Sequence, residues 1–150
     1  MSEKEILKNF VYLGEGAGRR VFAISKEFVI KIAKGKFGIM QNKIEGFVYR
    51  NASSKYNKYL CPVVWYKPSM LVMRRAVPLV EDTEYFTSLK DFCRNEIFYR
   101  DIQVLTRKYL LSSKDIRAKS SWGTLDGKYV LIDYGCPSKK GYWHYNILKR

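Results

Sequence analysis

From Phe10 to Ala33 the chain alternates short apolar runs with polar turns. Phe10 to Leu13 is followed by Gly14 to Gly18, Val21 to Ile24 by Ser25-Lys26-Glu27, and a third run covers Phe28 to Ala33. Brief runs rich in β-branched and aromatic residues, bounded by glycine and polar clusters, predict strands. Turns this short predict an antiparallel meander. The period changes over 38–52, where Met40, Ile44, Phe47 and Val48 recur at helical spacing. Gly46 weakens that helix by about 1 kcal/mol relative to alanine. Pro62 to Tyr66 and Met70 to Met73 predict two further strands around a Lys67-Pro68-Ser69 turn. They complete a five-stranded sheet with one helix.

From Ser88 the pattern turns helical. Ser88 and Asp91 resemble a capping pair. Leu89, Phe92, Cys93, Ile97, Phe98, Ile102, Leu105, Tyr109 and Leu110 form a broad apolar stripe, interrupted by Ser112 and Ser113. Asp126-Gly127 is a strong hairpin signal ahead of a strand from Tyr129 to Ile132. The fold class is therefore α+β, in a single domain over 1–150. A strand-rich part covers about 1–76 and a mainly helical part about 77–150.

With 47% hydrophobic residues over 150 positions, the chain has the material for a globular core. No apolar run approaches the ~20 residues a membrane helix needs. The N-terminal "MSEKEILKNF" has no signal-peptide core. A cytoplasmic protein without a membrane partner is the expectation. Cys61, Cys93 and Cys136 have no CxxC spacing, and His144 is the single histidine. That argues against a zinc site and against a histidine-based hydrolase, and for reduced cysteines. The net charge of +14 favours anionic partners: nucleotide, nucleic acid or an acidic protein. Basic residues are spread along the chain, with pairs at Arg19-Arg20, Arg74-Arg75, Arg107-Lys108 and Lys139-Lys140.

Gly14, Gly16 and Gly18 lie between two predicted strands, so neither a dinucleotide fold nor a Walker loop fits. Two readings remain for the loop. It is a flexible hairpin turn, or a cradle in which backbone N–H groups approach phosphate oxygens where no Cβ intervenes. Lys31 stands in the middle of the third strand, with Val29 and Ala33 on its face. A lysine among apolar residues is costly to bury unpaired. It requires an anion, a phosphate or a carboxylate, and Glu45 on the following helix is the nearest candidate.

Taken in order, these features resemble the protein-kinase-like superfamily from about Tyr12 to Gly135. Gly14, Gly16 and Val21 match its glycine-loop positions, with Arg19 where a third glycine is usual. Lys31 in "VIK" matches the lysine that holds the α/β-phosphates, and Glu45 its helix partner. "LVMRRA" resembles the strand and hinge that meet adenine, with Met73 as gatekeeper and backbone groups near Arg74 and Ala76 bonding the base. "SKDIRAKSSWGTLDGKYVLIDYG" resembles the catalytic loop and the metal-binding tripeptide. The resemblance implies Asp115 as catalytic base, Arg117 at the transferred phosphate, and Ser120 and Asp133 as magnesium ligands. With its "IDYG" and "QNK-x-E" runs the chain resembles short kinase-like proteins of bacteria and their phages; for a phage protein the host cytoplasm is the implied location.

Departures from the family pattern widen the function classes. Ser113 and Lys114 replace His-Arg, Ser120 replaces a metal-binding Asn, and fifteen residues follow Gly135. A complete N-lobe on a truncated C-lobe is the expectation. ATP and Mg²⁺ are the implied cofactors. The first class is a minimal ATP-dependent phosphotransferase acting on Ser/Thr hydroxyls, on itself or on a small molecule. The second is a pseudokinase-like interaction or inhibitor protein whose basic surface binds an acidic partner. The third is a nucleic-acid binder that stacks bases on its tyrosines.

Overall fold

The computed structural model describes residues 2–79 and 95–147. Ser88, Leu89, Asp91, Phe92 and Cys93, where the sequence pattern begins its second helix, lie outside the described residues. The structure opens with a helix, α1 (Glu3–Asn9), that the apolar pattern did not reveal. Its local signal is a capping box: Ser2 Oγ accepts the Glu5 N–H, and Glu5 Oε2 accepts the Ser2 N–H. There follow β1 (Val11–Glu15), β2 (Arg19–Ala23), β3 (Phe28–Ala33), α2 (Lys36–Asn51), a short α3 (Ser54–Asn57), β4 (Val63–Lys67) and β5 (Met70–Arg74). The five strands form one antiparallel sheet in the order β1-β2-β3-β5-β4. The expected α+β class, five-stranded sheet and single large helix against it are all present.

Strand period sets the two faces of the sheet. Phe22, Ile30, Ile32 and Met70 pack with Ile6 of α1 in a small cluster on one side. On the other side Val29, Leu71 and Met73 join Met40, Ile44 and Val48 of α2 in the main core. That core continues into the second half of the chain. Strand β2 starts two residues earlier than its apolar run, since Arg19 and Arg20 pair with Ala33 and Ile32 of β3. Period-2 alternation then sets Arg19 on the same face as Val21, whose register partner is Lys31.

The second half contains β6 (Val77–Pro78), α4 (Glu96–Lys108), α5 (Ser113–Ile116), one turn of 3₁₀ helix (Lys119–Ser121), β7 (Trp122–Leu125), β8 (Lys128–Leu131) and α6 (Lys139–Ile147). Strands β6-β7-β8 make a small antiparallel sheet. The β7–β8 turn is the two-residue Asp126-Gly127 loop, both at positive φ (52° and 78°), as the dipeptide predicts. Ile102 and Leu105 of α4, Ile116, Trp122 and Leu131 carry the core across from the large sheet. The Trp122 Nε1–H donates to the Ile116 carbonyl at 2.7 Å, which fixes the loop ahead of β7. No described helix is long and apolar enough to cross a membrane.

One close approach locks the β1–β2 hairpin onto α2. A Cβ on Gly38 would overlap the Gly18 carbonyl oxygen and stand 2.9 Å from Ala33 Cα. A Cβ on Gly18, in turn, would overlap Gln41 Oε1 and stand 2.9 Å from the Phe37 ring and 3.0 Å from the Gly38 nitrogen. Gly18 is thus a packing glycine, whereas Gly14 and Gly16 have open space where a Cβ would project. Gly38→Ala is expected to destabilise the fold by about 1–3 kcal/mol, the usual range for overpacking. Gly16→Ala should stay within about 0.5 kcal/mol, as surface changes do. Urea denaturation midpoints of both variants check this, and equal midpoints would refute the close packing.

Candidate functional site

Beneath the glycine hairpin lies a cluster of four charged side chains from four segments. Lys31 projects from the middle of β3 and is buried. Its Nζ lies 3.0 and 3.2 Å from the two oxygens of Glu45, and 2.5 Å from the Ile132 carbonyl. Glu45 comes from α2 and has no exposure at all. The expected Lys31–Glu45 pair is formed. The apolar neighbours Ile44, Leu71 and Met73 keep water away from it, and they are buried to within 1%.

The member that sequence reasoning passed over is Arg19. Its guanidinium makes a two-pronged pair with Glu45, at 2.7 Å to Oε1 and 2.9 Å to Oε2. It also donates to Asn42 Oδ1 and to Asp133 Oδ1, both at 3.1 Å. The Tyr134 N–H donates to Glu45 Oε2 at 2.9 Å, holding the segment after β8 to α2. Asp133 is the wet edge of this cluster, with its side chain 49% exposed against 5% for Arg19. Asp133 therefore joins the Lys31–Glu45 pair through the Arg19 guanidinium.

Electrostatics follow from burial and pairing together. Burial alone would push the Glu45 carboxyl up, but Arg19 and Lys31 outweigh it and hold the group at about 2. Burial pulls the Lys31 amine below its ordinary value, with Glu45 opposing. For Arg19 burial also works against the charge, and the Glu45 carboxylate reverses the balance and raises it.

The other candidate positions divide into those near the cluster and those apart from it. Asp115 opens α5, where its N–H is capped by Ser112 Oγ at 3.3 Å. Asp115 meets the Cys136 thiol, which burial, helped by that carboxylate and by Asp133, pushes up to about 12. Asp115 and Asp133 thus share one neighbourhood. Arg117 lies elsewhere: it lines an open groove of about 630 Å³ between α4 and α6, with Arg107, Ser113 and Lys140. Met73 is buried in the main core, on the sheet face that carries Lys31, and pairs in register with Val29 and Val63. The Arg74 N–H is taken by the Pro62 carbonyl and the Arg75 N–H by Glu27. The Arg74 carbonyl accepts the weak Cys61 thiol donor. The Ala76 N–H has no partner among the described residues.

A magnesium ion fits these residues poorly. It prefers near-octahedral oxygen ligation, with one or two carboxylates beside substrate phosphates. Among the described residues no group of three His, Cys, Asp or Glu side chains could hold a metal. Asp133 offers one carboxylate, and Arg19 already holds one of its oxygens. Ser120 is exposed, and its hydroxyl pairs with none of the described groups. The nearest link runs through the next residue, where the Ser121 carbonyl accepts the Ile132 N–H at 2.8 Å.

No family model and no curated protein sequence matches the chain. Among solved structures it is similar to the streptomycin–ATP–APH(2″)-IIa ternary complex, at 17% identity and a TM-score of 0.41. The match covers 64% of this chain and 34% of that one. So slight a likeness transfers neither substrate nor activity.

Two measurable outcomes follow from the site. Glu45 has a folded pKa below its ordinary 4.5, so its contribution to stability is full above about 4.5 and lost as pH falls towards about 2. Urea midpoints should fall across that interval, and Glu45→Gln should remove part of the fall. That variant is itself expected to lose about 3–5 kcal/mol, because it leaves buried Lys31 without its counter-charge and Arg19 with the half-exposed Asp133 alone. An unchanged acid profile in Glu45→Gln would contradict the pairing. The Cys61 and Cys136 thiols are both pushed up to about 12, chiefly by burial. Alkylation at mildly alkaline pH should be about tenfold or more slower in the native protein than in urea, since the thiolate is the reactive form. Equal rates would show that the thiols are not shielded.

Proposed function

We propose that the chain is a kinase-like nucleotide-binding protein, with ATP seated between the β1–β2 hairpin and the buried ion cluster. The observation that carries this reading is the Lys31–Glu45 pair under a glycine hairpin, with Asp133 drawn to it from the other half of the chain. A strand lysine fixed by a carboxylate presents its charge at one place without being buried alone. The open positions at Gly14 and Gly16 leave room for phosphate oxygens beside the main chain of the hairpin, whose Gly16 N–H donates to the Arg19 carbonyl at 3.0 Å. Behind them Met73 closes the back of the cleft, and the Ala76 N–H is available to a base edge.

Phosphoryl transfer from such a nucleotide depends mainly on positioning and charge. In this reading Asp115 receives the proton of an acceptor hydroxyl on a Ser/Thr side chain, on the protein itself or on a small molecule. Arg117 faces the groove with Arg107 and Lys140, where it would meet an anionic part of the acceptor rather than the cluster. A second reading, a non-catalytic nucleotide-binding protein that engages an acidic partner, draws support from the Arg19–Asp133 contact, which occupies the family's metal ligand. Nucleic-acid binding draws less support. Tyr59, Tyr109, Tyr134 and Tyr145 are core residues and are not free to stack bases, which leaves Tyr12, Tyr66, Tyr129 and Tyr142 as the exposed tyrosines among the described residues.

Calorimetric titration and thermal unfolding with ATP test the proposal. Saturable binding should stabilise the fold by mass action, about 2.7 kcal/mol at a hundredfold excess over Kd. Lys31→Met should weaken ATP binding by about tenfold or more, equivalent to about 1.4 kcal/mol. No stabilisation of the wild-type chain at millimolar ATP would reject the nucleotide site.

A further inference from the structure

Arg19 is the member of the cluster that a phosphate-binding glycine loop does not require. We propose that Arg19 is a built-in counter-cation for Asp133, so that the cleft accepts the polyphosphate of a nucleotide without a divalent metal ion. The inference rests on the nucleotide reading above and specifies the ionic form in which the ligand binds.

Three observations lead to it. First, the guanidinium is held on every side. Its two terminal nitrogens make four contacts, two to Glu45, one to Asn42 and one to Asp133. A planar fork with that many fixed partners does not swing aside as a lysine could. Asn42 is wholly buried and is itself anchored, its Nδ2 donating to the Pro68 carbonyl at 3.1 Å. Second, the charges close on themselves. Arg19 and Lys31 bring two positive charges, and Glu45 and Asp133 two negative ones. Without Arg19 the remaining three would be net negative, and Asp133 would face incoming phosphates as an unpaired carboxylate. In that arrangement a bridging metal ion is needed. With Arg19 present the repulsion is already cancelled, and a divalent cation at Asp133 would sit against a guanidinium 3.1 Å from the same carboxylate. Third, the other ligands a metal would want are missing. Ser120 is turned to solvent, and no three-ligand group exists among the described residues.

The test is ATP titration of the full chain by calorimetry, in EDTA and in millimolar magnesium. The two wild-type affinities are expected to agree within about threefold. Arg19→Met should lose about tenfold or more in EDTA and recover in magnesium, as Asp133 becomes an unpaired carboxylate that a metal can bridge. Because Arg19 is buried and its loss can impair folding, Asp133→Asn in the otherwise native chain is the second probe. Removing that charge leaves the guanidinium free to meet phosphate, so metal-free ATP affinity should be equal or higher, and a fall of about tenfold or more would overturn the inference. Wild-type binding that requires magnesium by about tenfold or more would overturn the inference and leave the nucleotide site standing. Metal-free affinity in Arg19→Met equal to wild type would overturn it too. Absence of ATP binding in both buffers would overturn the nucleotide reading and this inference together.

Discussion

The buried carboxylate of Glu45 is the constraint on which the rest of the structure depends. It has no access to water, and an uncompensated charge in that position costs several kcal/mol. Five hydrogen bonds compensate it: two from Arg19, two from Lys31 and one from the Tyr134 N–H. These donors arrive from β2, β3 and the segment after β8. One acid on α2 therefore fixes the relative placement of the large sheet, its helix and the second half of the chain. The Ile132 carbonyl adds a further tie by accepting from Lys31, so the lysine is shared between the carboxylate and the main chain.

Packing makes this polar centre possible. Ile44 and Val48, on the same helix as Glu45, are wholly buried, as is Leu71 of β5. Tyr134 extends the shield, its ring in the core and its hydroxyl donating to the Cys61 carbonyl at 2.8 Å. The short run after β8 alternates accordingly. Ile132 and Tyr134 face inward by main chain or ring, Asp133 points to the wet edge, and Gly135 packs where a Cβ would lie 2.6 Å from the Gln41 carbonyl. Glycine is needed there for space, because α2 passes too close for any side chain. The tripeptide that reads as a metal motif in sequence is also a packing joint between α2 and the second half.

Much of this was legible because local rules were strong. The strands of the first half follow from short apolar runs between glycine and polar turns, and the β7–β8 hairpin from Asp126-Gly127. The Lys31–Glu45 pair was legible because a lysine in mid-strand cannot be buried alone. What escaped has a physical reason in each case. Arg19 lies at the start of β2, ahead of the apolar run, where an arginine ordinarily marks a surface turn. Only extending the alternation of Val21 backwards by two residues would have turned it inward. Strand β6 is two residues long and contains Pro78, so no propensity marks it. Gly18 looked like its neighbours in the loop, yet its role comes from Gly38 and Phe37 on another element. The family resemblance implies Arg117 at the transferred phosphate, and the turn that ends α5 carries it to the groove beside Arg107.

The cluster has a dry centre and one wet corner, and this asymmetry decides how a ligand could act on it. The contacts of Glu45 with Arg19, Lys31 and Tyr134 lie where water does not reach, so breaking any one strands a charge. The Arg19–Asp133 contact is different, since Asp133 is half exposed and can be solvated without its partner. The Asp133 contact is therefore the one that can yield without unfolding the rest. If it yields, the guanidinium keeps its two bonds to Glu45. Charge can then be exchanged at the corner while the centre stays fixed. That combination makes a buried ion cluster compatible with both a stable fold and a binding site.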